Sequence, residues 1–105
     1  MSEERETLLS VDFEAEVIEW RGPAPFVFAT IPAELVGEIR FAARQASYGW
    51  GVVPVEARIA GHVFRTSLFP RDGLYLLPVK RAVQNATGIA LGDRVTVTLR
   101  IEARV

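Results

Sequence analysis

Near the end of the chain, every second residue is apolar: Val95, Val97, Leu99, Ile101, Ala103 and Val105. The residues between them, Thr96, Thr98, Arg100, Glu102 and Arg104, are polar or charged. Only an extended strand sorts such a set onto two faces, because successive side chains of a strand point to opposite sides. On a helix the same set would be smeared around the whole circumference. Near the start, Val11, Phe13, Ala15 and Val17 alternate with Asp12, Glu14 and Glu16 in the same way. That predicts a first strand from Val11 to about Trp20. Strands with one apolar face need a core on that side and hydrogen-bonding neighbours at both edges.

The segments between follow the same logic. Arg21-Gly22-Pro23-Ala24-Pro25 punctuates the chain as a turn, and Phe26 to Ile31 is aromatic and β-branched, a second strand. Pro32 suits the first turn of a helix, and Leu35, Val36, Ile39, Ala42, Ala43 and Ala46 fall at helical spacing. The helix is expected over about 32–46. Gly49-Trp50-Gly51 breaks it. Val52 to Ile59 and Val63 to Phe69 read as a hairpin. With Ala60-Gly61 as its two-residue turn, Glu56 faces Arg65; the alternative register would set Arg58 against Arg65. Pro70-Arg71-Asp72-Gly73 is a turn signal, Leu74 to Leu77 a short strand, and Pro78 to Ala86 a second helix stopped by Gly88. The order ββαβββαβ gives six short, one-sided strands and two helices. Such a sheet closes best as a small barrel with helices over its ends.

A chain of 105 residues supplies one domain. Met1 to Leu9 is polar, so the expected division is a flexible tail over 1–10 and a barrel over 11–105. The chain lacks cysteine, which excludes disulfides, thiolate metal sites and thiol catalysis. Its acidic N-terminus has no apolar h-region and no long apolar run follows, so the expectation is a cytoplasmic protein without a membrane span.

The charge is −1 overall but unevenly spread. Residues 1–38 carry nine acids and two bases, and residues 39–105 carry ten bases and four acids. One reading pairs acidic and basic strands inside the sheet; the other leaves a basic face for an anionic partner. If the first and last strands are neighbours, Arg100 and Arg104 can face Glu14 and Glu16. Eleven of the twelve bases are arginine, which leaves Lys80 as the single lysine. A compact ammonium is not interchangeable with a guanidinium.

The strings Gly49-Trp50-Gly51, Thr66-Ser67-Leu68-Phe69-Pro70, Asp72-Gly73, Leu77-Pro78-Val79-Lys80 and Gly92-Asp93-x-Val95 occur in this order. With them, residues of about 11–102 resemble the domain-of-unknown-function family 1905 of bacteria and archaea. The resemblance implies a double-split β-barrel, similar to the fold of swapped-hairpin transcription factors. It also implies a module found alone or fused to a YdeI/OmpD-associated domain. It implies no activity.

Candidate chemistry is sparse. With one histidine, His62, and no cysteine, only carboxylates remain as metal ligands, and acids such as Glu14 and Glu16 read as the solvated face of a strand; no nucleophile-elbow or phosphate-loop motif is present. The expectation is therefore no catalytic residue, no metal and no cofactor. The remaining cluster is Arg44, Tyr48, Trp50, Thr66, Ser67 and Lys80. Aromatic faces, hydroxyls and two cations can hold a small anionic or aromatic ligand; the same residues can also cap a barrel end and bond turn backbone. The functional expectation is a non-enzymatic binding module with a small-molecule or anion pocket at a barrel end, monomeric or weakly dimeric. The alternatives are a nucleic-acid-binding regulator, disfavoured by the net charge, and a protein-interaction module.

Overall fold

The computed structural model describes residues 6–20, 26–46 and 53–103. They form strands β1 (Thr7–Trp20), β2 (Phe26–Thr30), β3 (Val53–Ile59), β4 (His62–Arg71), β5 (Leu74–Pro78) and β6 (Arg94–Glu102). A 3-10 turn, Ala33–Leu35, leads into helix α1 (Val36–Gln45), and helix α2 (Arg81–Thr87) precedes β6. The strands close in the order β1-β2-β5-β4-β3-β6, every pair antiparallel.

Two long strands make the closure. β1 pairs with β6 from Thr7 to Glu16, then with β2 from Val17 to Trp20. β4 pairs with β3 from His62 to Leu68, then with β5 from Phe69 to Arg71. Each therefore divides its length between two partners and belongs to both halves of the barrel. Closure thus shares the pairing of these two strands between the two halves, so that neither strand pairs with only one neighbour.

The alternation of β6 holds from Val97 to Ile101; Val95 and Ala103 are half-buried, and Val105 lies outside the described residues. Val97, Leu99 and Ile101 are 0% exposed, packed against Phe13 and Ala15 of β1 and Val55, Ala57 and Ile59 of β3 in one core. Burial of each such side chain contributes about 1.5–3 kcal/mol. Helix α1 lays Val36, Ile39, Ala42 and Ala43 into that core, and α2 contributes Val83. No helix among the described residues is long and apolar enough to cross a membrane.

The β3–β4 hairpin has the favoured register, with Glu56 opposite Arg65 and Ile59 opposite His62. Its turn, Ala60-Gly61, has φ of 50° and 79°, and the β4–β5 turn, Asp72-Gly73, has 52° and 78°. Two successive positive φ values mark type I′ turns, whose twist matches that of the flanking strands.

Four expectations need correction. β1 starts at Thr7, not Val11. Thr7–Ser10 do not alternate cleanly, yet they pair with Glu102–Arg100, and the Ala103 N–H donates to the Glu6 carbonyl at 2.7 Å. The second helix starts at Arg81 because Pro78 still pairs with Phe28 in the sheet. Pro70 and Arg71 extend β4 and leave only Asp72-Gly73 to turn. Finally, β1 and β6 are neighbours, but Arg100 stands opposite Ser10 and is paired with Glu56 and Glu102. It is Arg94 that meets Glu14, at 3.8 Å. Arg104 lies outside the described residues.

Candidate functional site

Where β5 leaves the barrel, its backbone is fastened to β2 and then to α2. The Val79 N–H donates to the Val27 carbonyl at 2.9 Å. The Gln84 side chain donates to the Val79 carbonyl at 2.8 Å, and the N–H groups of Val83 and Gln84 donate to the Lys80 carbonyl at 2.9 and 3.0 Å. Val79 itself is buried in the core. Lys80 thus has a fixed main chain and an exposed side chain.

This junction forms one wall of a cleft of about 390 Å³. Phe26 and Val27 of β2 and Pro78 of β5 supply apolar surface, and Leu91 adds an exposed aliphatic side chain. Glu19, Lys80, Arg81 and Gln84 supply polar groups. Glu19 and Val27 are paired across β1 and β2 on the parity of Val17 and Ala29, whose side chains are buried in the barrel. The cleft therefore opens at the barrel end that this pair borders. Leu91 is placed by the segment before β6: the Gly92 N–H donates to the Val17 carbonyl at 2.8 Å, and the Asp93 carboxylate accepts from the Ala90 N–H at 2.9 Å.

A smaller cavity of about 110 Å³ lies beside β3, β4 and β6, bordered by Pro54, Glu56, Arg65, Thr66, Arg100 and Glu102. Its charged side chains already pair with one another: Glu56 contacts Arg65 at 3.3 Å and Arg100 at 3.4 Å.

Lys80 borders the larger cleft and Thr66 the smaller one. Arg44 is exposed in the last turn of α1 and borders neither. Thr66 and Ser67, consecutive on β4, point to opposite faces, so one ligand cannot use both from the same side. Tyr48 and Trp50 lie outside the described residues. His62 and Ser67 stand an odd number of positions apart on β4 and likewise project to opposite sides. Among the described residues no group of three or more metal-ligating side chains occurs.

Sequence reasoning missed Glu19, Phe26, Arg81, Gln84 and Leu91. Arg81 carried a signal, as a second cation directly after Lys80, and Gln84 follows on the same helix; Glu19, Phe26 and Leu91 come from other parts of the chain.

No curated protein matches the chain. The family model described as a domain of unknown function, DUF1905, matches residues 13–99, from the first core residue of β1 to the middle of β6. With that match covering most of its length, the chain belongs to the DUF1905 family.

Proposed function

We propose that this barrel is a non-enzymatic binding module whose cleft at the barrel end takes a small anionic molecule with an apolar ring or chain. The observation that supports this reading is the pairing of an apolar wall with two adjacent cations, Lys80 and Arg81, in a cleft of about 390 Å³. Small-molecule sites are typically concave, mostly apolar and furnished with a few polar groups that fix orientation. The main chain under Lys80 is held by hydrogen bonds on both sides, so a ligand would meet a pre-formed site and lose less free energy to ordering it. Phe26, 58% exposed, offers a ring face beside the cations.

The test is a thermal-shift screen of the wild type and Lys80→Met against nucleotides, carboxylates, sugar phosphates, aromatic metabolites and short duplex DNA. A ligand at about 100 times its dissociation constant adds about 2.7 kcal/mol of stability. The expected result is a small anionic hit that Lys80→Met abolishes and Arg81→Met weakens, with the unliganded melting temperatures unchanged. A hit indifferent to both substitutions, or no hit among the small molecules, would refute the reading.

A further inference from the structure

The two outer faces of the barrel differ in kind. On the side formed by β3, β6 and the first halves of β1 and β4, outward positions carry Glu14, Arg94, Glu56, Arg65, Arg100 and Glu102, joined by ion pairs. On the side formed by β2, β5 and the last turns of β1 and β4, they carry aromatic and aliphatic residues. Trp20 pairs with Phe26, Phe69 with Leu76, and Arg71 with Leu74. Phe28, 5% exposed, forms the floor, with ring centroids 5.9 to 6.5 Å from those of Trp20, Phe26 and Phe69. Trp20, Phe26, Phe69 and Leu74 remain 36, 58, 43 and 42% exposed.

We infer that this aromatic face is a self-association surface, on which a second copy of the chain docks by the same patch. Its charges favour that occupant. Arg71 lies 3.6 Å over the Trp20 ring and 3.6 Å from Asp72, so one cation and one anion stand side by side at the β4–β5 turn. A two-fold axis through the patch sets apolar surface against apolar surface and lets each Arg71 meet the partner's Asp72; self-complementarity is the condition for an isologous pair. A nucleic acid fits less well. Its bases need free ring faces beside unpaired cations. Here the rings lean on one another and Arg71 already covers Trp20.

The area sets the strength. Taking about 200 Å² for a full aromatic side chain, the four exposed residues offer roughly 300–400 Å². That equals the largest apolar patch of a typical monomer and about half of the ~800 Å² per partner in a standard interface. The dimer is therefore weak and concentration-dependent. The inference does not rest on the cleft beside Lys80, although Phe26 borders both.

Sedimentation velocity of the full chain from about 10 μM to about 1 mM tests it. The weight-average mass should rise from 11.6 kDa toward twice that value. Phe69→Ser and Phe26→Ser should each raise the concentration of half-association at least about tenfold. Asp72→Asn, which tolerates the positive φ of that position, should raise it by a smaller factor. Phe41→Ser, at an exposed residue of α1, a helix that packs on β1 and β6, and Lys80→Met should leave it unchanged. Thermal melts confirm that each variant is folded. A mass that stays at 11.6 kDa at the highest concentration would overturn the inference, as would equal weakening by Phe41→Ser.

Discussion

Arg100 of β6 donates to Glu56 of β3 at 3.4 Å, across the outer surface of the barrel and 44 residues apart in the chain. Arg65 holds the other carboxylate oxygen of Glu56 at 3.3 Å, and Glu102 lies 3.7 Å from Arg65 and 3.4 Å from Arg100. Four alternating charges thus lie over three adjacent strands, in the half of the chain that is basic overall.

Glu56→Gln removes the shared anion of this group. Exposed ion pairs contribute about 0.2–1 kcal/mol each, so the loss should be about 1 kcal/mol at low salt. Urea melts at low salt and at about 1 M salt, where the Debye length is about 3 Å, should show the loss shrinking by half or more. An equal loss at both salts would assign it to packing instead.

Val97→Ala and Leu99→Ala remove fully buried groups of β6. Each should cost on the order of 2–4 kcal/mol, with valine at the low end. Thr96→Ala, on the outer face, loses a 3.3 Å bond to Glu14 and should stay within about 0.5 kcal/mol of wild type. Denaturant midpoints at constant slope check the contrast, and two near-neutral core variants would contradict the inward face.

The two hairpin turns share a backbone shape but not a sequence. Asp72-Gly73 is a favoured pair for it, whereas Ala60 holds a φ of 50° that suits asparagine better. Ala60→Asn should add about 0.4–1 kcal/mol, and Gly61→Ala should remove about 1 kcal/mol or more. For a domain of this size, about 1 kcal/mol moves the melting temperature by roughly 4 °C. A fall in Tm for Ala60→Asn would exclude a turn-limited effect.

Asp93 organises the segment that carries Leu91 to the cleft. Its carboxylate accepts from the Ala90 N–H at 2.9 Å, and its N–H donates to the Ala90 carbonyl at 3.1 Å. Asp93→Ala leaves one of these bonds unmade and should cost about 1 kcal/mol. Hydrogen exchange at Ala90 should accelerate, while exchange at Leu99 follows the global stability alone. Unchanged protection at Ala90 would mean the carboxylate is dispensable.

Local chemistry explains how much of this was legible beforehand. The alternation of Val95 to Ile101 and of Val11 to Val17 fixes which faces are buried, and the Ala60-Gly61 turn with the Glu56–Arg65 pair fixes the hairpin register. Register between β1 and β6 is set by no turn. Slips by an even number of residues keep the same apolar faces, so Arg100 and Arg104 were expected to face Glu14 and Glu16, which stand opposite Thr96 and Arg94. In the cleft, Lys80 was legible as the single lysine, two residues after Pro78. Glu19, Phe26 and Leu91 were not, because the β2–β5 pairing and the Gly92–Val17 bond, neither set by a local turn, bring those segments to Lys80. Phe26 and Phe69 were legible only as strand residues; their pairing with Trp20 and Leu76 sets them on the outer face.

The closure of the barrel by its first and last strands also sets a timetable for biosynthesis. Thr96 bonds to Glu14 over 82 residues and Arg100 to Thr7 over 93. β1 therefore leaves the ribosome long before its main partner exists, able to zip only its last four residues onto β2. Through that interval its other edge stays open to neighbouring nascent chains. Asp12, Glu14 and Glu16, exposed along the same strand, give it the repelling charges that keep such an edge from premature pairing.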